Sequence, residues 1–158
     1  MRHLLLLLAL PVLFGCDAHT NEPDEASAVI YIDGERMDAS ASVTTRELDG
    51  TAYQMVSLEM AGGSRIELLA PTFEEGRFIK EHEADASFPF GFSYVAGGDR
   101  PRIYMPDSGT VEISIASPTV VAGAFEFDTY DGLSSCAGCE AAKGPRVQGR
   151  FKAVRGEG

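Results

Sequence analysis

The chain has 158 residues, with 13 Lys+Arg against 24 Asp+Glu and a formal net charge of −11. That balance excludes a nucleic-acid surface, which needs clustered positive charge, and adhesion to anionic headgroups by charge. Three cysteines, three histidines and no tryptophan leave little material for metal or redox chemistry.

At the N-terminus, Arg2 and His3 precede an apolar core from Leu4 to Leu10, which Pro11 breaks. The apolar run to Phe14 is too short for a bilayer core of roughly 30 Å, which needs about 20 residues as a helix. Residues 1–15 therefore predict a secretory leader. It closes on Leu13-Phe14-Gly15-Cys16. This stretch resembles the lipobox of bacterial lipoproteins, in which the cysteine thiol receives a diacylglycerol and becomes the first mature residue. The resemblance implies a lipidated Cys16. It places the body in the bacterial cell envelope, held to a membrane and facing the periplasm or the exterior. Acyl burial contributes about 0.8 kcal/mol per methylene, and two or more chains make a stable anchor. Asp17 is similar to the residue that retains enterobacterial lipoproteins at the inner membrane; inner and outer membrane both stay open.

Without Arg2 the mature chain holds 12 basic against 24 acidic residues. Residues 16–27 comprise the cysteine and an acidic stretch that cannot bury enough to order itself, so a flexible tether is expected. Its eleven residues from Asp17 to Ser27 reach roughly 20 Å as coil. Residues 28–155 suit a single domain with a sizeable core.

From Ala28 onward the apolar period is two. Val29 to Asp33 forms a strand closed by Gly34, and Met37 to Thr45 another, ended by the Glu47-Leu48-Asp49-Gly50 turn. Tyr53 to Met60 sets Val56, Leu58 and Met60 on one face; after Gly62-Gly63, Ile66, Leu68 and Leu69 follow with Glu67 outward. Pro71 to Gly76 predicts a loop and Arg77 to Lys80 a short strand. Phe88, Phe90, Phe92 and Tyr94 alternate with smaller residues as one more strand. Arg100 to Met105 predicts a strand stopped by Pro106-Asp107-Ser108-Gly109, followed by a separate run through Val111, Ile113 and Ile115. Val120 to Tyr130 turns Phe125 and Phe127 inward, and Val147, Gly149, Phe151 and Ala153 line the last strand.

The expected fold is all-β: eight to ten antiparallel strands with one polar face, in a β-sandwich or a closed or partly open β-barrel. Gly91, Gly123 and Gly149 within strands suggest bulges or sharp coiling. The Ala28-Val29-Ile30-Tyr31-Ile32-Asp33-Gly34-Glu35 opening resembles that of small bacterial lipoproteins of unknown function, the DUF6252-like group. So does the closing series Ser108–Ile113, Val121–Phe127 and Val147–Phe151, with its paired Gly-x-Phe strands. The resemblance implies fold and location, and brings no catalytic residues.

Chemistry is sparse. With the leader and tether set aside, His82 is the lone histidine of the body, which excludes a multi-histidine metal site within one chain. Its flanks, Glu81 and Glu83, read as a solvated loop. Cys136-Ala137-Gly138-Cys139 allows three readings. The pair forms a small-loop disulfide of modest stabilising effect, a redox pair lacking the usual helix N-terminus, or half of a zinc site. The disulfide suits an exported protein. Glu74/Glu75 and Asp128/Asp131 could serve acid-base or calcium chemistry, though Asp131-Gly132 is also a turn signal. The ladder Phe88, Phe90, Phe92, Tyr94 is either a core stripe or the apolar lining of a ligand cavity.

The expected protein is thus a lipid-anchored envelope module, non-enzymatic and without a cofactor. It binds an envelope protein or a small ligand, or plays a structural role. The alternative is a periplasmic metal- or redox-responsive module using Cys136 and Cys139.

Overall fold

A computed structural model describes residues 26–82, 86–133 and 141–155. All three cysteines, the leader and most of the expected tether lie outside the described residues. Nine strands follow in chain order: β1 (Ser27–Ile32), β2 (Glu35–Leu48), β3 (Thr51–Met60), β4 (Arg65–Ala70), β5 (Gly76–Lys80), β6 (Gly91–Ala96), β7 (Arg102–Ala116), β8 (Val120–Asp131) and β9 (Val147–Arg155). One short 3-10 turn, Ala61–Gly63, lies between β3 and β4.

Turn chemistry sets the first two hairpins. Asp33-Gly34 and Asp49-Gly50 all have positive φ (49°, 85°, 50° and 76°), the geometry whose twist matches that of paired strands. Around the wall the order is β7-β6-β4-β3-β2-β1-β9-β8, and β8 pairs with β7 again. Eight strands therefore close an antiparallel barrel, with β5 as an extra strand on β7. Of the two expected architectures, the barrel is the one formed. Closure leaves the wall without the open edges of a sandwich.

Alternation fills the inside. Ala28 and Ile30 of β1, Val56 and Leu58 of β3, Ile66 and Leu68 of β4, and Val111 and Ile113 of β7 are buried in one cluster. Phe125 and Phe127 of β8, and Val147, Phe151 and Ala153 of β9, belong to the same cluster. An eight-stranded barrel is only wide enough for side chains or one small ligand, and here side chains take the space.

Two strands differ from expectation. Arg102–Ala116 is one continuous strand, not two separated by a turn at Pro106. Pro106 lies opposite Thr129 and Ser108 opposite Asp128, with the register slipping between them. A bulge absorbs the residue that cannot donate to the ladder. In the aromatic run, β6 begins only at Gly91, so Phe88 and Phe90 precede the strand that holds Phe92 and Tyr94.

Tyr94 shows how burial couples to pH. Its ring stacks on Tyr104 with centroids 5.5 Å apart. Burial, the largest effect, raises its pKa above the usual 10.0. A raised folded value favours the neutral phenol, so this contribution is intact below pH 10 and fades as the pH climbs through the folded pKa. Tyr94→Phe is expected to flatten the alkaline decline above pH 10. Urea midpoints at pH 8, 10 and 11 check it; an unchanged slope would refute it.

Candidate functional site

Most sequence candidates resolve into structural parts. Phe90, Phe92 and Tyr94 are buried and Phe88 is half-buried. The Phe92 ring lies 4.3 Å from that of Phe127, and Phe90 lies 5.0 Å from Phe78. These rings pack against one another and against Phe127 within the one buried cluster, because β6 and β8 flank β7 and turn their inward residues to the same part of the interior. His82 is exposed, and its backbone carbonyl accepts a hydrogen bond from buried Lys80 Nζ at 2.8 Å. That ammonium also sits 5.9 Å over the Phe88 ring, holding the segment after β5 against the wall.

The carboxylates likewise serve turns and termini. Asp131 Oδ1 accepts the Leu133 N–H at 3.0 Å, and Glu75 Oε1 accepts that of Ala116 at 3.4 Å. Among the described residues no group of three His, Cys, Asp or Glu could hold a metal ion. Cys136 and Cys139 lie outside them; their flanks are tied together by Asp131 N donating to Ala142 O at 2.8 Å. Cys16 lies outside them as well. Among the described residues no helix is long and apolar enough to cross a membrane.

The feature that sequence reasoning did not find is a groove of about 590 Å³ on the outer wall. Two cross-strand rows build it. In one, Val29 of β1 pairs with Arg150 of β9, then Ala124 of β8, Glu112 of β7 and Arg77 of β5. In the other, Arg36 of β2 pairs with Tyr31, then Gln148, Glu126 and Thr110. All ten line the groove. They sit one residue out of phase with the buried set, so the same period of two that fills the core places them outside. Small Val29 and Ala124 form the floor, and long side chains rise around them. With strands about 4.8 Å apart, the rows cover about 24 Å from β2 to β5.

Electrostatics within the groove is uneven. Arg36 meets Asp38 at 3.1 Å. Arg146 at the rim hydrogen-bonds Glu126, and that bond, more than any other cause, raises the arginine's pKa. Arg77 and Arg150 form no ion pair with any described residue. Such a surface can hold a polar ligand through planar donors and a tyrosine ring. A signal for it existed in the chain, since Tyr31, Arg36, Arg77, Gln148 and Arg150 all fall on outward positions. Reading it required the register of strands more than a hundred residues apart.

No family model, curated protein or solved structure matches this chain.

Proposed function

We propose that this chain is a lipid-anchored protein of the bacterial cell envelope whose barrel is a non-enzymatic binding module. The outer groove is its ligand site. The observation that carries the binding reading is that groove: a concave, mixed-polarity surface of about 590 Å³ on a barrel whose interior holds one buried apolar cluster. Ligand sites are concave and combine apolar floor with a few placed polar groups, and a filled core sends that role to the outside. The Leu13-Phe14-Gly15-Cys16 stretch carries the location. A tethered body does not need high affinity, because anchoring confines it to the surface where its ligand is found.

Cys16→Ser tests the anchor. The unaltered protein is expected in the membrane fraction, with an intact mass raised by a diacylglycerol and an acyl chain. The variant is expected in the soluble fraction at its bare polypeptide mass. A bare sulfur in membrane extracts, or unchanged fractionation of the variant, would refute the anchor.

A further inference from the structure

The groove holds a local charge that opposes the chain around it. Overall, acidic residues outnumber basic ones 24 to 13, yet three arginines and two glutamates line this site. Arg36 and Glu126 are already engaged by Asp38 and Arg146. What remains for an occupant is Arg77, Arg150 and Glu112. Arg77 and Arg150 belong to the same cross-strand row, three strand steps apart, or about 14 Å between Cα atoms. Ala124 and Glu112 lie between them. A molecule resting on Ala124 thus meets one guanidinium from each side.

The residue types narrow the occupant. A guanidinium presents a rigid planar fork that matches the two oxygens of a carboxylate or phosphate. Glu112 cannot accept such a group, but it accepts hydroxyl protons, and Gln148 both donates and accepts. The Tyr31 ring offers a flat apolar face beside them. The volume lies in the range of small-molecule sites and far above what a bare ion needs.

We propose that this groove binds a polyhydroxylated oxyanion, an acidic sugar whose carboxylate or phosphate is held by Arg150 and Arg77 while its hydroxyls meet Glu112 and Gln148. The proposal rests on the groove being the ligand site and adds the ligand's charge and the groups that read it.

Isothermal titration of the full mature chain in detergent decides it, with glucuronate, glucose 6-phosphate, glucose and inorganic phosphate as probes. At least one of the two charged sugars is expected to bind ten-fold or more tightly than glucose and than phosphate. The preferred one separates a uronate from a sugar-phosphate source. Arg150→Gln is expected to weaken that sugar at least ten-fold, and Arg77→Gln several-fold, with unchanged melting temperatures. Ala124→Trp, which fills the floor, is expected to abolish binding. Glucose binding as tightly as the charged sugars, yet lost in Ala124→Trp, would overturn the oxyanion proposal and leave the groove reading standing. Phosphate alone binding as tightly as the sugars, or no heat from any probe at millimolar concentration, would also overturn it. Charged-sugar binding that survives both Arg150→Gln and Ala124→Trp would overturn the groove reading as well.

Discussion

Phe127→Ala is expected to cost about 3–5 kcal/mol, the range for deleting a fully buried phenyl ring. Phe127 has no exposed surface. Its ring lies 4.3 Å from that of Phe92, 6.0 Å from that of Phe88 and 6.4 Å from that of Phe125, so it ties β8 to β6, two strands along the wall, and to the segment before β6. Truncation removes the contacts of three rings at once. Phe92 and Phe125 sit on hydrogen-bonded strands and cannot move in to close the void, which is the condition under which the cavity cost is largest. Total stability of a domain this size is about 5–15 kcal/mol, so the variant would stand near the threshold of folding. Guanidinium denaturation should show a lower midpoint with an unchanged slope. Ile79→Ala, at a side chain 58% exposed, is expected to change stability by less than about 0.5 kcal/mol. A loss below about 1 kcal/mol for Phe127→Ala would mean that the barrel centre is not packed as described.

The second large effect is expected at the seam that closes the barrel. β7 and β8 pair from Tyr104 opposite Asp131 to Ala116 opposite Val121, with the register shifting between Ile113 and Ile115. At Gly123 the two backbones come together: a β-carbon there would run into the Glu112 carbonyl oxygen and lie 3.2 Å from Ile113 Cα. Main-chain atoms in a ladder cannot swing aside as a side chain can. Gly123→Val must therefore push β8 away from β7, and a cost above the usual 1–3 kcal/mol of overpacking is expected. Because the seam makes the sheet a closed ring, the harm should extend beyond the local pair. Hydrogen exchange should show lost protection along both strands, with β2 and β3 least affected. Gly91→Ala is the control, since a β-carbon there makes only an ordinary 3.4 Å contact with the Leu69 side chain. Equal stability of Gly123→Val and Gly91→Ala would refute the close approach.

Legibility in the sequence followed the range of the interaction. Val111, Ile113 and Ile115 against Glu112 and Ser114 are a local pattern, and they announced an antiparallel strand with one polar face. Asp-Gly at 33–34 and 49–50 announced turns for a similar reason, since positive φ is a property of the residues themselves. Pro106 misled because its effect depends on the partner strand. Opposite Thr129 a bulge accommodates it; without β8 beside it, the same Pro-Asp-Ser-Gly stretch reads as a stop. The aromatic ladder was read at the right period and left open between core and cavity. What bears on it is the packing of Phe92 against Phe125 and Phe127, two strands along the wall, which no window of sequence contains.

The sequence by itself determined most of the strands, their inward and outward faces, the two tight turns and the expectation of an anchored, exported body. Each of these depends on neighbours within about ten residues. Only the tertiary structure decided that β8 returns to β7 and closes a barrel, and that the interior is filled. It alone aligned Arg77, Glu112, Ala124 and Arg150 in one row across four strands. Those outcomes depend on register between distant segments, and register is set by the summed packing of all the walls together rather than by any one strand's composition.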